Sequence, residues 1–527
     1  MRKVFLVTSI TLLCIVGWLT YINFKGIYLL LILLPLIGMG LYDMFQSKKS
    51  IRRNFPLVGR LRYLLESIGP EIRQYFIETD LDGKPFNRLE RSLVYQRSKK
   101  EIDTYPFGTQ QDLYAVGYQW INHSIKAIPF ANVDLHPKIK IGSSQCLKPY
   151  DASLYNISAM SYGSLSKNAI LALNSGAKQG GFYHNTGEGG LSPYHLQYGA
   201  DVVWNIGTGY FSCRDADGNF DYENFSKRAQ IESVKMIEVK FSQGAKPGHG
   251  GILPKEKVTD EIANIRLVHK GHDIVSPPSH SAFTTPLEFM EFIKVLRKGS
   301  GGKPIGIKIC IGNKSEFMSI CKAMVETNTF LDYISVDGGE GGTGAAPLEY
   351  SDHVGMPLRD ALAFVYDCLI GYGIKDQIKI ICSGKIITGF DIIKTLATGA
   401  DLCNSARGMM FALGCIQALE CHANTCPTGV ATQDPALVKG LVPEQKSVRV
   451  ARFQYETVKS AMDLLASAGI AHPDEVDRSV VSMRVDRTTI QTFAETYPEL
   501  EVGCLLKEET VPKNFLAFWK KASVERF

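Results

Sequence analysis

Eight short, β-prone apolar runs punctuate the middle of the chain, at 156–160, 182–185, 202–207, 236–242, 304–310, 333–338, 378–384 and 402–406. Helical patterns lie between most of them, among them 164–178, 286–298, 315–327, 357–372 and 389–397. Regular strand–helix alternation favours a parallel sheet, because parallel neighbours need a crossover that a helix supplies. Eight repeats favour closure into an α/β (β/α)8 (TIM) barrel over an open doubly wound sheet. Polar and glycine residues follow the runs directly, as SYG at 161–163, TGE at 186–188, QGAK at 243–246, GGEGGTG at 338–344 and SGK at 383–385. In a barrel all of these lie on the C-terminal face, where such folds carry their chemistry.

A barrel of ~250 residues fills about half of a chain this long. Ahead of it, residues 4–22 hold no charge over nineteen positions and 26–41 none over sixteen. A spanning helix needs ~20 mostly apolar residues. The first run meets that length, and the second does so with Tyr42, Met44 and Phe45 in the interface. Asn23-Phe24-Lys25 reads as a tight turn between them. Residues 1–53 carry seven Lys and Arg against Asp43 alone, while the rest of the chain has one more acidic than basic residue. That distribution argues against a nucleic-acid surface. It favours an N-terminal transmembrane helical hairpin with both ends cytoplasmic. The competing readings are a single signal-anchor followed by a re-entrant run, and a cleaved signal peptide, for which no obvious small-x-small site precedes the second run. A cytoplasmic body also suits reduced thiols.

Of the twelve cysteines, Cys415, Cys421 and Cys426 fall within twelve residues and are followed by Pro427. Three thiolates so spaced can wrap one face of an iron–sulfur cluster. A zinc site with His422 as fourth ligand and buried structural thiols are the alternatives, although zinc motifs usually bring two closely spaced pairs. The run 337–345, DGGEGGTGA, follows a strand candidate and offers backbone N–H groups to a phosphate or a flavin edge. No G-x-x-x-x-G-K-[ST] occurs at Ser383-Gly384-Lys385, which disfavours a nucleotide triphosphatase. The loops after the seventh and eighth strands commonly hold phosphate in a barrel, and Arg407 would pair with it there. Taken singly, each glycine loop also reads as a simple turn. Lys308 stands in an otherwise apolar strand, where a charge needs a partner. A cation there would stabilise an anionic reduced flavin ring. Lys246 and Arg266, with Glu188 on another loop, form a set suited to a carboxylate-bearing substrate.

These segments together resemble the flavin-binding synthase domain of the glutamate synthase family, over roughly 156–433. The likeness is carried by ISAMSYG at 157–163, NTGEGG at 185–190, QGAKPG at 243–248, IVSPP at 274–278, GGTGAAP at 341–347 and CHANTCPTGVATQ at 421–433. The resemblance implies an FMN cradled by Ala159, Met160, Ser161, Lys308, Asp337, Gly338, Gly339, Gly342, Thr343, Gly344, Ser383, Gly384, Lys385, Ala406 and Arg407. It implies a [3Fe-4S] cluster on Cys415, Cys421 and Cys426, with electrons arriving from an external donor such as a ferredoxin or a reductase subunit. It also implies Glu188, Gln243, Lys246 and Arg266 around 2-oxoglutarate, which with ammonia forms the 2-iminoglutarate that is reduced to L-glutamate.

The expected organisation is an anchor at 1–53, a connecting segment packed on the barrel at 54–150, the barrel with its cysteine loop at 151–433, and a partly helical tail at 434–527. Three departures from the family are expected. The amidotransferase domain is replaced by the anchor, so ammonia is free or supplied by a partner. The long C-terminal β-helix domain is replaced by the tail. His249 and Ile252 stand where the large enzymes typically have Glu and Gln, and Ile252 cannot hydrogen-bond a substrate. The leading expectation is an oxidoreductase of glutamate synthase type. The alternatives are the same cofactors acting on another oxo acid or imine, and a membrane-tethered electron-transfer subunit.

Overall fold

The computed structural model describes every residue except 102, 103 and 105, which fall in the expected connecting segment and lie outside the described residues. The chain divides into two compact units, Met1–Arg91 and Ser92–Phe527.

In the first unit, helix α1 (Arg2–Ile22) and helix α2 (Leu30–Phe45) are joined by a 3-10 turn, Phe24–Leu29. The Asn23 side chain accepts from the Lys25 amide at 3.1 Å, which fixes the expected turn. The Phe5 ring lies against Gly40, where a Cβ would overlap it. Both stretches, Arg2–Ile22 and Phe24–Phe45, are long and apolar enough to cross a membrane, a property that a signal sequence shares. After a short helical turn at Ser50–Asn54 comes helix α3 (Val58–Ser67).

The second unit is built on a closed parallel barrel of eight strands. They are β1 (Tyr155–Ile157), β2 (His184–Asn185), β3 (Val202–Ile206) and β4 (Val234–Lys240), then β5 (Ile305–Ile309), β6 (Tyr333–Asp337), β7 (Lys379–Ser383) and β8 (Leu402–Ser405). Closure comes from β8 against β1, with Cys403 opposite Tyr155 and Ser405 opposite Ile157. The expected helices form as α4 (Lys167–Gly180), α5 (Pro286–Gly299), α6 (Lys314–Thr327), α7 (Leu358–Gly371) and α8 (Gly389–Leu396). Their starts are chemically marked. Thr285 and Glu288 make a capping box on α5, and Thr388 and Asp391 make one on α8. A long C-terminal helix, α9 (Pro443–Ser467), packs on α4 and α8.

The interior of the barrel is filled by side chains, and many of them are polar. Register places Gly306 beside Glu238 and Lys308 beside Lys240. Gly306 leaves room for the fully buried Tyr333 ring, since a Cβ would meet it at 2.5 Å. Above it, the Glu238 carboxylate accepts from Asn185 Nδ2 at 2.8 Å and Asn205 Nδ2 at 2.6 Å. Burial pushes its pKa up, against the pull of Lys308.

Candidate active site

The C-terminal ends of β2, β3 and β4 converge on one open pocket, lined by Glu188, Thr208, Lys240, Gln243, Lys246 and Pro277 among others. Glu188 arrives on a turn forced against the loop after β1. A Cβ on Gly187, whose φ is +64°, would lie 2.6 Å from the Ser161 amide nitrogen and 2.7 Å from the Met160 carbonyl carbon, so only glycine fits. The Glu188 side chain is wedged between Gly207 and Gly251, with no space for a Cβ at either.

Its nearest partner is Lys240, the last residue of β4, at 2.8 Å. Lys240 Nζ also donates to Gln243 Oε1 at 2.9 Å. Burial opposes the charged form of Glu188, but Lys240, Lys246 and Arg266 outweigh it and hold its pKa below the ordinary 4.5. Burial lowers the Lys246 pKa, with Glu188 opposing and Lys240 reinforcing the shift. Burial likewise brings Arg266 down to about 10. Its guanidinium lies 5.0 Å from the centre of the Phe211 ring, Nη2 donates to the Tyr162 carbonyl at 3.1 Å, and Nε is buried without a hydrogen-bond partner among the described residues. Arg266 therefore backs the pocket and reaches Glu188 through its field.

The loop after β6 closes one side. Lys246 Nζ donates to the Ala345 carbonyl at 2.6 Å, and Gln243 Nε2 approaches Thr343 Oγ1 at 3.5 Å. Gly244 touches the Gly338 carbonyl so closely that a Cβ would overlap it. Below, Lys308 pairs with Asp337 at 2.9 Å, and the same Asp337 oxygen accepts from the Gly244 amide at 2.9 Å. Gly339 donates to the Met356 carbonyl at 2.8 Å.

The expected phosphate loops form a separate wall. Ser383 Oγ and Ser158 Oγ lie 3.1 Å apart, which ties the end of β7 to β1. Gly384 is followed by Lys385 at φ +54°, an uncommon conformation for a side-chain-bearing residue and one that clusters at ligand sites. Ala406 leads into the short helix Arg407–Leu413. Arg407 lies against Gly342, and its Nη2 donates to the Glu340 carbonyl at 2.6 Å. Gly344 sits beside Cys421, whose Cβ is 3.8 Å from where a Cβ would stand. These loops offer glycine backbone, hydroxyls and cations, the donor types that an FMN phosphate and ring edge need.

Among the described residues no group of three or more His, Cys, Asp and Glu side chains is assembled to hold a metal ion, so Cys415, Cys421 and Cys426 are not held as a ready ligand triad. Their chemistry still suits thiolate ligation. Burial raises the Cys426 pKa, but hydrogen bonds from the Thr428 hydroxyl and from the amides of Ala431, Thr428 and Val430 outweigh it and lower the value overall. Cys421 is pushed up by burial and by the neighbouring Cys426. Lys257, buried and facing both thiols, donates to the carbonyls of Cys421 at 2.7 Å and Ala431 at 2.9 Å.

Of the expected substrate residues, Glu188, Gln243 and Lys246 meet in the pocket, with Arg266 behind them. Ile252 stands in a short strand, Ile252–Leu253, paired with Ile274–Val275, and is not among the pocket's lining. Lys240 escaped the reading of the sequence. The signal was available, because a lysine in a barrel strand needs a partner, as at Lys308.

Residues 121–471 match the family model for the conserved region in glutamate synthase. The chain is 40% identical over 489 residues to the glutamate synthase large subunit-like protein YerD of Bacillus subtilis (strain 168), covering 85% of this chain and 92% of that one. It is 35% identical over 347 residues to the archaeal glutamate synthase (NADPH) of Methanocaldococcus jannaschii, covering 66% of this chain and 63% of that one. Against the glutamate synthase (NADPH) large chain of Bacillus subtilis (strain 168) it is 29% identical and spans 20% of that protein. With a family match over 121–471 and a relative aligned along most of both chains, the protein belongs to the glutamate synthase family of oxidoreductases.

Proposed function

We propose that this chain is an FMN- and iron–sulfur-dependent oxidoreductase of glutamate synthase type, which reductively aminates 2-oxoglutarate to L-glutamate with ammonia. The carrying observation is the charge set at the barrel mouth, three cations (Lys240, Lys246 and Arg266) around the single carboxylate of Glu188. Its surplus of two positive charges matches a substrate with two carboxylates. Lys246 binds and orients a substrate carboxylate in the pocket, Arg266 adds positive field from behind it, and Gln243 supplies a further hydrogen bond. Glu188, kept ionised, accepts hydrogen bonds from the incoming ammonia and orients it toward the keto carbon. Condensation releases water and leaves 2-iminoglutarate; two electrons and two protons then complete the amino acid.

FMN, when bound, supplies the electron pair to the imine carbon, and the residues that would hold it are those between Ala159 and Arg407 already described. Lys308, paired with Asp337 under that site, is placed to balance negative charge on the ring. The [3Fe-4S] cluster would be held by Cys415, Cys421 and Cys426 and would carry electrons from a ferredoxin or a reductase subunit. Helices α1 and α2 anchor the chain as a membrane hairpin, with the barrel on the cytoplasmic side.

A second reading keeps the cofactors and changes the oxo acid. It rests on the departures at His249 and Ile252 from the Glu and Gln typical of the family's large enzymes, in the segment whose Gly248 and Gly250 line the pocket although Ile252 itself does not.

Anaerobic reoxidation of the reduced, detergent-solubilised holoprotein separates the two. 2-Oxoglutarate with ammonium should reoxidise the flavin and yield glutamate. If another oxo acid does so while 2-oxoglutarate does not, the second reading replaces the first. A purified protein without flavin absorbance overturns both.

A further inference from the structure

Beyond the two apolar helices, the first unit contains a second apolar surface of a different kind. Helix α3 and the short helical segments Gly69–Ile72 and Arg73–Ile77 make a nearly continuous stretch from 58 to 77. Val58, Leu61, Leu65, Ile68 and Ile72 recur at spacings of three and four, which places them on one helical face. That face is open to solvent, with Leu61 55% and Leu65 51% exposed, and Phe76 beyond it 84% exposed.

The other face is already used by the chain. Gly59 packs on the backbone of Arg52, where a Cβ would meet Cα at 3.0 Å. The Tyr63 ring lies beneath Lys49 Nζ at 4.4 Å and the Arg52 guanidinium at 4.9 Å. Arg60 grips Asp43, near the end of α2, through Nε at 2.8 Å and Nη2 at 2.9 Å, and the Leu57 amide donates to the same carboxylate at 3.2 Å. This clamp fixes the start of α3 at the level where the apolar stretch of α2 ends. Residues 48–77 carry seven Lys and Arg against Glu66 and Glu71.

We propose that residues 58–77 lie in the headgroup layer of an anionic bilayer, with the face of Leu61, Leu65 and Ile68 sunk to the acyl boundary and the basic residues on the phosphates. An amphipathic helix with arginines on its polar side and large apolar residues on the other binds membranes in this way. The clamp at Asp43 sets its depth beforehand. A second copy of the chain is the weaker occupant, because pairing two such faces would bring two strongly basic stretches together. The proposal rests on the anchoring role given above to α1 and α2.

Its test uses the full chain in vesicles of phosphatidylcholine and phosphatidylglycerol. An environment-sensitive fluorescent amino acid replaces Leu65, Glu66 or Leu34, one at a time. All three positions are exposed, so folding is not at stake. A blue shift and quenching by bromine-labelled acyl chains are expected at Leu65 and Leu34 and absent at Glu66. Water-like emission at Leu65 with quenching at Leu34 overturns the interfacial helix and leaves the hairpin standing. No quenching at Leu34 overturns the hairpin itself. A blue shift at Leu65 without lipid quenching shows that protein covers the face, and overturns the proposal as well.

Discussion

Glu188 and Lys240 meet at 2.8 Å with side chains only 20% and 10% exposed. Removing one partner of such a pair leaves the other uncompensated, at a cost of about 2–5 kcal/mol. Glu188 keeps Lys246 and Arg266 nearby, so Lys240→Met should fall at the lower end. We expect kcat/KM for the oxo acid that reoxidises the reduced protein to drop roughly 30-fold, the equivalent of about 2 kcal/mol, with partial recovery in Lys240→Arg. Steady-state kinetics check this, and an unchanged kcat/KM would remove Lys240 from the site. At this scale the sequence was legible where a charge stood alone in an apolar run, as at Lys308. It was less legible at Lys240, because the run 236–242 also holds Glu238 and Ser242 and the lysine does not stand alone among apolar residues.

His184 carries a different consequence. It is fully buried, neither ring nitrogen has a hydrogen-bond partner among the described residues, and burial lowers its pKa from 6.5 to about 3. Burial also brings His280 down to about 4. Below pH 6.5 the unfolded chain binds a proton that folded His184 refuses. Stability is therefore fully present above 6.5 and declines as pH falls toward 3, where the folded form also protonates. Between pH ~7 and ~5, His184 alone should remove about 2 kcal/mol. Chemical denaturation at those two pH values checks the direction. His184→Leu should flatten the decline, and an equal decline in the variant would show that His184 is not the group responsible.

At the scale of elements, the strand–helix alternation fixed the existence and order of all eight barrel strands, because each run had to be buried on both sides. Strand ends shifted. The runs at 156–160 and 182–185 become Tyr155–Ile157 and His184–Asn185, since Ser158–Met160, Phe182 and Tyr183 are apolar or small enough to continue a strand, while Ser158 already turns to meet Ser383. The second crossover carries only the 3-10 turn Pro193–His195, as its residues show no helical period. The contact between the loops after β4 and β6 was not legible at all, because Gly244 and Gly338 read equally well as plain turn residues. Gly244→Ala tests that contact. Its Cβ would overlap the Gly338 carbonyl, a backbone atom that cannot rotate away. Overpacking of this kind costs about 1–3 kcal/mol. A lower denaturation midpoint and a larger loss of activity than of stability are expected, because Gln243 and Lys246 ride on the displaced loop. Wild-type activity in this variant would show that the two loops move apart freely.

For the whole molecule, the decisive packing lies in the stretch read from the sequence as a tail. Helix α9 seats on α4 at Gly176, where a Cβ would press on the Ser447 carbonyl, and on α8 at Gly389 against the backbone of Ala461. Gln454 Nε2 reaches β1 itself, donating to the Tyr155 carbonyl at 3.1 Å. The chain ends with Phe527 against Phe241 and Phe283, at 6.0 and 6.3 Å between ring centres. Val450, Phe453, Val458, Met462 and Leu465 are buried along α9, and each is worth about 1.5–3 kcal/mol. Their sum rivals the roughly 5–15 kcal/mol by which domains are stable. A chain ending at Gln433 should therefore be recovered aggregated or without a cooperative thermal transition. A chain beginning at Ser92, which keeps the whole second unit, should unfold cooperatively near the midpoint of the full-length protein in detergent. Circular dichroism melts of the two truncations make the comparison. A cooperative melt of the shorter-tailed chain would show that the barrel stands without α9, and the Gly176 and Gly389 contacts would then be decoration on a fold already complete.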